Sequence, residues 1–161
     1  MKRIVFIITT FITVALLVVF VRYISKVAPT HTSVIKQYSY KGDLMDIIAK
    51  IQTFCAADSN LIAKITDTTG TPDTGYDYYL DIEVKKGGRD ILYGIVCNKS
   101  EAIDISGSTI KLVMAYDKIN NTGGYNINAA AVKQLSDLFE INFIVPLQNF
   151  HQIRLSPVTN P

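Results

Sequence analysis

Residues 76–84 read Tyr-Asp-Tyr-Tyr-Leu-Asp-Ile-Glu-Val. Tyr76, Tyr78, Leu80, Ile82 and Val84 occupy one parity, and Asp77, Tyr79, Asp81 and Glu83 the other. Successive side chains of a strand point to opposite faces, so strict alternation predicts a half-buried strand. The Lys85-Lys86-Gly87-Gly88 stretch after it suits a tight turn, because glycine takes positive φ at no steric cost. Arg89 to Asn98 then returns with Ile, Leu, Tyr and Val, which completes a hairpin. A third strand is predicted at Thr109 to Asp117, with Ile110, Leu112, Met114 and Tyr116 facing one way.

On the N-terminal side of the hairpin the period changes. Leu44, Ile47, Ile48, Ile51, Phe54 and Cys55 recur at helical spacing, behind Asp43 as N-cap and with Asp46 in the first turn. On the C-terminal side, Asn128 is placed to cap a second helix over 129–140 that buries Val132, Leu135, Leu138 and Phe139. Leu61 to Thr66 reads as a short strand and Asp67 to Gly75 as a surface loop. Residues 142–147 read as a last strand, which Pro146 would confine to an edge or end. The predicted class is therefore α+β, an antiparallel sheet of three to five strands with two helices on one face.

Farther out, Ile4 to Val21 is an uncharged apolar run broken only by threonines. At 1.5 Å rise per residue it spans roughly 27 Å, close to the hydrocarbon thickness of a bilayer. It is longer than the usual hydrophobic stretch of a cleaved signal peptide, and Pro29 comes directly after the best small-residue site. The expectation is an N-terminal signal-anchor over residues 1–26, a tether with a short first strand over 27–42, an α+β domain over 43–150, and a flexible tail over 151–161. Lys2 and Arg3 before the run against Arg22 and Lys26 after it favour an exported domain only slightly.

The formal net charge is +2, but four of the sixteen basic residues flank the apolar run. The rest of the chain carries twelve against fourteen acidic residues, with scattered lysines. That distribution lacks the basic patch of a nucleic-acid surface. Cys55 and Cys97 leave two readings open, one disulfide in an oxidising compartment or two buried thiols.

Reactive constellations are scarce. Only His31 and His151 are present, in the tether and the tail, and no short Cys/His spacing marks a zinc site. An EF-hand begun at Asp67 would have Pro72 where glycine is needed and Tyr78 where glutamate is needed. No cofactor is implied. Asp77, Asp81 and Glu83 on one strand face could serve as paired acids, although a solvated outer face gives the same pattern. Tyr76 and Tyr79, beside Asp77 and Asp81, form the candidate recognition cluster, since tyrosine is favoured at binding surfaces. The sequence thus points to a single-pass membrane protein, held through residues 4–21, whose outer domain binds a protein partner. Two alternatives stand beside it, a small carboxylate hydrolase of the cell envelope and a carrier of a small molecule or lipid.

Overall fold

A computed structural model describes residues 33–71, 75–100 and 107–158. The predicted membrane anchor lies outside these residues. Among those described, no helix is long and apolar enough to cross a membrane.

The fold is α+β. Strand β1 (Lys36–Tyr40) leads to helix α1 (Leu44–Ala57), then to β2 (Leu61–Thr71), β3 (Gly75–Lys86), β4 (Arg89–Lys99) and β5 (Ser108–Asp117). A short β6 (Thr122–Gly124) precedes α2 (Ala130–Phe139), a π-helical turn over Glu140–Ile144, α3 (Val145–His151) and β7 (Leu155–Pro157). The strands form one antiparallel sheet in the order β2-β3-β4-β5-β1-β7, and β6 shares with β1 one edge of β5. Among the described residues, seven strands replace the three to five expected.

Helix α1 forms for the reasons its sequence suggests. The Asp43 side chain accepts from the Met45 N–H at 2.8 Å, and the predicted stripe of Leu44, Ile47, Ile48, Ile51, Phe54 and Cys55 is buried. That stripe packs in one cluster with Leu80, Ile82 and Val84 of β3, Ile91, Tyr93, Ile95 and Cys97 of β4, and Ile110 and Leu112 of β5. Leu135, Phe139, Phe143 and Leu147 join the same cluster, so both helical segments lie on one face of the sheet.

Four local expectations change. Residues 67–71 continue β2 instead of forming a loop, paired to β3 across Thr68–Tyr78, Thr69–Asp77 and Gly70–Tyr76. Residues 142–147 are helical, because Phe139, Phe143 and Leu147 recur at four-residue spacing and all three are fully buried. The π-turn accommodates Pro146 next to it: the Val145 N–H bonds to the Glu140 carbonyl, and proline sits in the first turn of α3, where its missing N–H costs nothing. The tail forms β7, which pairs Leu155 and Ser156 with Tyr40 and Ser39. The N-cap of α2 is Ala129, without a side-chain bond, while Asn126 accepts from the Asn128 N–H to shape the turn before it.

A fifth difference sets the composition of the sheet's far side. The register between β4 and β5 slips between Gly94 and Ile95, so Val113 is an extra residue in β5. Beyond this bulge the faces exchange. Ile110 and Leu112 face the helices as expected, but Met114 and Tyr116 pass to the opposite face and Ala115 takes the core position.

Candidate functional site

With the helices on one side, the other side of the sheet carries a second set of side chains. Cross-strand registers place them. Tyr79 is opposite Val96, which is opposite Lys111. Asp81 is opposite Gly94, which is opposite Met114, and Glu83 is opposite Leu92, which is opposite Tyr116. Val96 is 7% exposed and Val113 8%, while Tyr79, Leu92, Met114 and Tyr116 are half-buried. Neither Val96 nor Val113 belongs to the cluster under the helices.

Gly94 fits this packing. A Cβ there would lie 3.2 Å from the Met114 Cβ and 3.8 Å from a Val113 methyl. The methionine and valine therefore close over the glycine backbone. At one end of the face the side chains of Asn98 and Thr109, both buried, hydrogen-bond to one another. At the other end Glu83 is bracketed by Lys85 and Lys118, each at 3.0 Å, and Lys118 reaches Asp90 at 3.5 Å. The surface is an apolar and aromatic strip with a charged rim, the usual anatomy of a recognition patch.

Of the sequence-predicted site residues, Asp77, Tyr79 and Asp81 share this open face. Tyr76 has the opposite parity and stands 40% exposed near the tip of the β2–β3 hairpin, apart from them. Sequence reasoning missed Leu92, Val96, Val113, Met114 and Tyr116. The signal was present in Ile91–Cys97, which is apolar on both parities, the mark of a strand buried on two sides.

Asp77 and Asp81 are not spaced as a catalytic pair. Asp77 and Asp81 are four residues apart on one strand, roughly 13 Å at 3.3 Å per residue, beyond the separations used by paired acids. Glu83 is held below the usual carboxylate range by hydrogen bonds from Lys85 and then Lys118, the reverse of what a proton donor near neutral pH requires. Among the described residues no three His, Cys, Asp or Glu side chains come together to hold a metal.

Cys55 and Cys97 are both free and both buried, so the disulfide left open by the sequence does not form in this structure. Burial pushes each thiol up to about 12, with the Asp58 charge adding to the effect at Cys55. His151 does not lie in a loose tail. It ends α3 and bonds through Nε2 to the Lys50 carbonyl at 2.8 Å.

Shallow clefts open along the rim of the fold. One of about 520 Å3 lies beside Asp43, Lys41 and Lys99. Another of about 500 Å3 lies between Tyr40, Lys41 and Arg154. A smaller one, about 340 Å3, adjoins Tyr38 and Glu140. There the buried Tyr38 hydroxyl lies beside Glu140, and burial, then the Glu140 charge, raises it to about 12. Lys36 spans Asp137 and Glu140 at 2.9 Å each. Burial opposes its charge, but the two carboxylates outweigh burial and raise its pKa.

The chain matches no known protein family, no curated protein and no solved structure.

Proposed function

We propose that this domain is a non-catalytic binding module that offers the open face of its sheet to a protein partner in the cell envelope. Residues 4–21 tether it to the membrane and place it on the exported side. One observation carries the reading: β4 is apolar on both faces, yet among the described residues the helices cover only one. The uncovered side keeps Leu92, Val96, Val113, Met114 and Tyr116 close together, with Tyr79 beside them. A sheet that only needed solvation on that side would alternate with polar residues. An apolar strip with aromatic side chains and a charged rim suits a protein surface, where the strip excludes water and the rim sets register.

The test uses the full chain in cells of its source, with a photo-crosslinking amino acid in place of Tyr79 or Met114. A discrete adduct to one other protein is expected from both positions. The same amino acid at Gln52, exposed on α1, serves as the control. Equal adducts from Gln52, or none from the sheet positions, would end the proposal.

A further inference from the structure

The two outer strands of the sheet are not alike. At one end of the order, β7 has only three residues and includes Pro157, which has no N–H to offer a neighbouring chain. At the other end, β2 has eleven residues, and among the described residues no strand lies beyond its edge. From Ile62 to Thr71 its side chains are exposed apart from half-buried Ala63. No proline interrupts the strand, and Lys64 is its single basic residue. A long, unpaired, weakly charged edge is a template for another strand.

We infer that β2 pairs with β2 of a second copy of this chain, antiparallel, about a two-fold axis between Ile65 and Thr66. The observation that selects this occupant is a self-complementary charge pattern created by a bulge. Lys64 and Asp67 are three residues apart, which would put them on opposite faces of a regular strand. The register of β2 on β3 slips between Ile65 and Asp67, so Thr66 is extra. Lys64 is therefore opposite Asp81 and Asp67 opposite Tyr79, both on the open face.

Antiparallel neighbours must present matching faces across the new junction. Within one side of the bulge, a two-fold pairing would set each residue against one of its own parity. Across the bulge the match requires the opposite parity, and the axis between Ile65 and Thr66 supplies it. Ile62 then meets Thr69 of the second copy, both on the open face. Ala63 meets Thr68, both on the helix face. Lys64 meets Asp67, and the symmetry makes that ion pair twice. Among the described residues, neither takes part in an ion pair within the chain. Opposite charges directly across an antiparallel pair favour the register, and like charges oppose it.

The junction would join two sheets edge to edge with their open faces on the same side, doubling the apolar strip. This pairing does not depend on what that strip binds.

The experiment uses the full-length chain, purified in mild detergent, with Thr66→Cys and a short bismaleimide. Buried Cys55 and Cys97 do not compete for the reagent. A cross-linked dimer is expected. Lys64→Asp alone sets Asp against Asp, and Asp67→Lys alone sets Lys against Lys, so each should lower the yield at least several-fold. Mixing differently tagged copies of the two single variants should restore cross-linking, between unlike copies only. The double variant should restore it between like copies. Ser156→Cys on β7 should give little dimer. Absence of a dimer with Thr66→Cys, yield indifferent to the charge changes, or equal yield from Ser156→Cys would each overturn the proposal. Repeated in cells, a Thr66→Cys adduct to a different protein in place of the dimer would do the same and would assign the edge to that partner.

Discussion

Truncating Phe139 to alanine tests whether the helical reading of residues 139–147 is what holds the C-terminal third onto the sheet. The ring is fully buried, 4.8 Å from that of Tyr93 and 5.1 Å from that of Phe143. Removing a buried phenylalanine costs about 3–5 kcal/mol, of which each aromatic pair accounts for about 0.5–1.5. A domain of this size has about 5–15 kcal/mol in total, so the variant should be folded but much weakened. With a urea slope of about 1–3 kcal/mol/M, the midpoint should fall by about 2 M. The chain has no tryptophan, so far-UV circular dichroism in urea is the suitable probe. Two companions sharpen the result. Ile141 is 64% exposed on the π-turn, and Ile141→Ala should move stability by no more than about 0.5 kcal/mol. Val145 is 43% exposed in the helix but would share a face with Phe143 in a strand. Val145→Ser as costly as Phe143→Ala, or Phe139→Ala below about 1 kcal/mol, would refute the packing described.

The buried and charged groups give three more expectations. Asp117 is 2% exposed and accepts from the Asn120 N–H and side-chain amide and the Ile119 N–H, which hold its pKa below the ordinary 3.8. A depressed carboxylate stabilises the fold above the unfolded pKa and loses that contribution as pH falls through the folded one. Unfolding titrations from about pH 5 down to about pH 2 should show a shallower acid slope for Asp117→Asn than for the parent; an unchanged slope would rule out this source. Cys55 and Cys97 should resist maleimide in the native protein and give two thiols in denaturant without reductant, whereas none in denaturant would mean they are joined. Lys36→Met should cost no more than about 1 kcal/mol, because the Asp137 and Glu140 carboxylates it bridges are substantially exposed, and salt should reduce that cost further; a larger, salt-insensitive loss would contradict the ion-pair account.

What the sequence made legible depended on how much each segment owes to its own side chains. Helix α1 has six apolar residues at helical spacing and all six are buried. The β3–β4 hairpin combines clean alternation with two glycines of positive φ at its tip, Gly87 and Gly88. In both, local pattern and burial agree. Residues 67–71 lack such a pattern because neither face of that part of β2 is buried, so pairing alone decides. β7 is three residues long and exists only through β1. Residues 141–145, Ile-Asn-Phe-Ile-Val, have strand-favouring side chains, but stacking of Phe139 on Phe143 and burial of Leu147 override that preference. The parity of Asp77, Tyr79 and Asp81 and the two apolar parities of β4 were readable from single strands, whereas the outward turn of Met114 and Tyr116 was set by a bulge that no local residue announces.

That bulge is the reason Met114 and Tyr116 join the open face. In a regular β5, Met114 would point at the helices and Ala115 outward. The place that Ala115 takes is where β6 and α2 come in: a Cβ on Gly123 would stand 2.2 Å from the Ala115 carbonyl and 2.9 Å from a Leu135 methyl. Gly123 also has φ +112°, a conformation that glycine alone adopts readily. Inserting Val113 keeps Ile110 and Leu112 in the core, puts the smallest apolar side chain under α2, and sends Met114 and Tyr116 to the other side. The core position of Ala115 and the outward turn of Met114 and Tyr116 are two results of one extra residue. A partner for the strip would therefore meet Met114 and Tyr116 by way of the same bulge that sets Ala115 in the core.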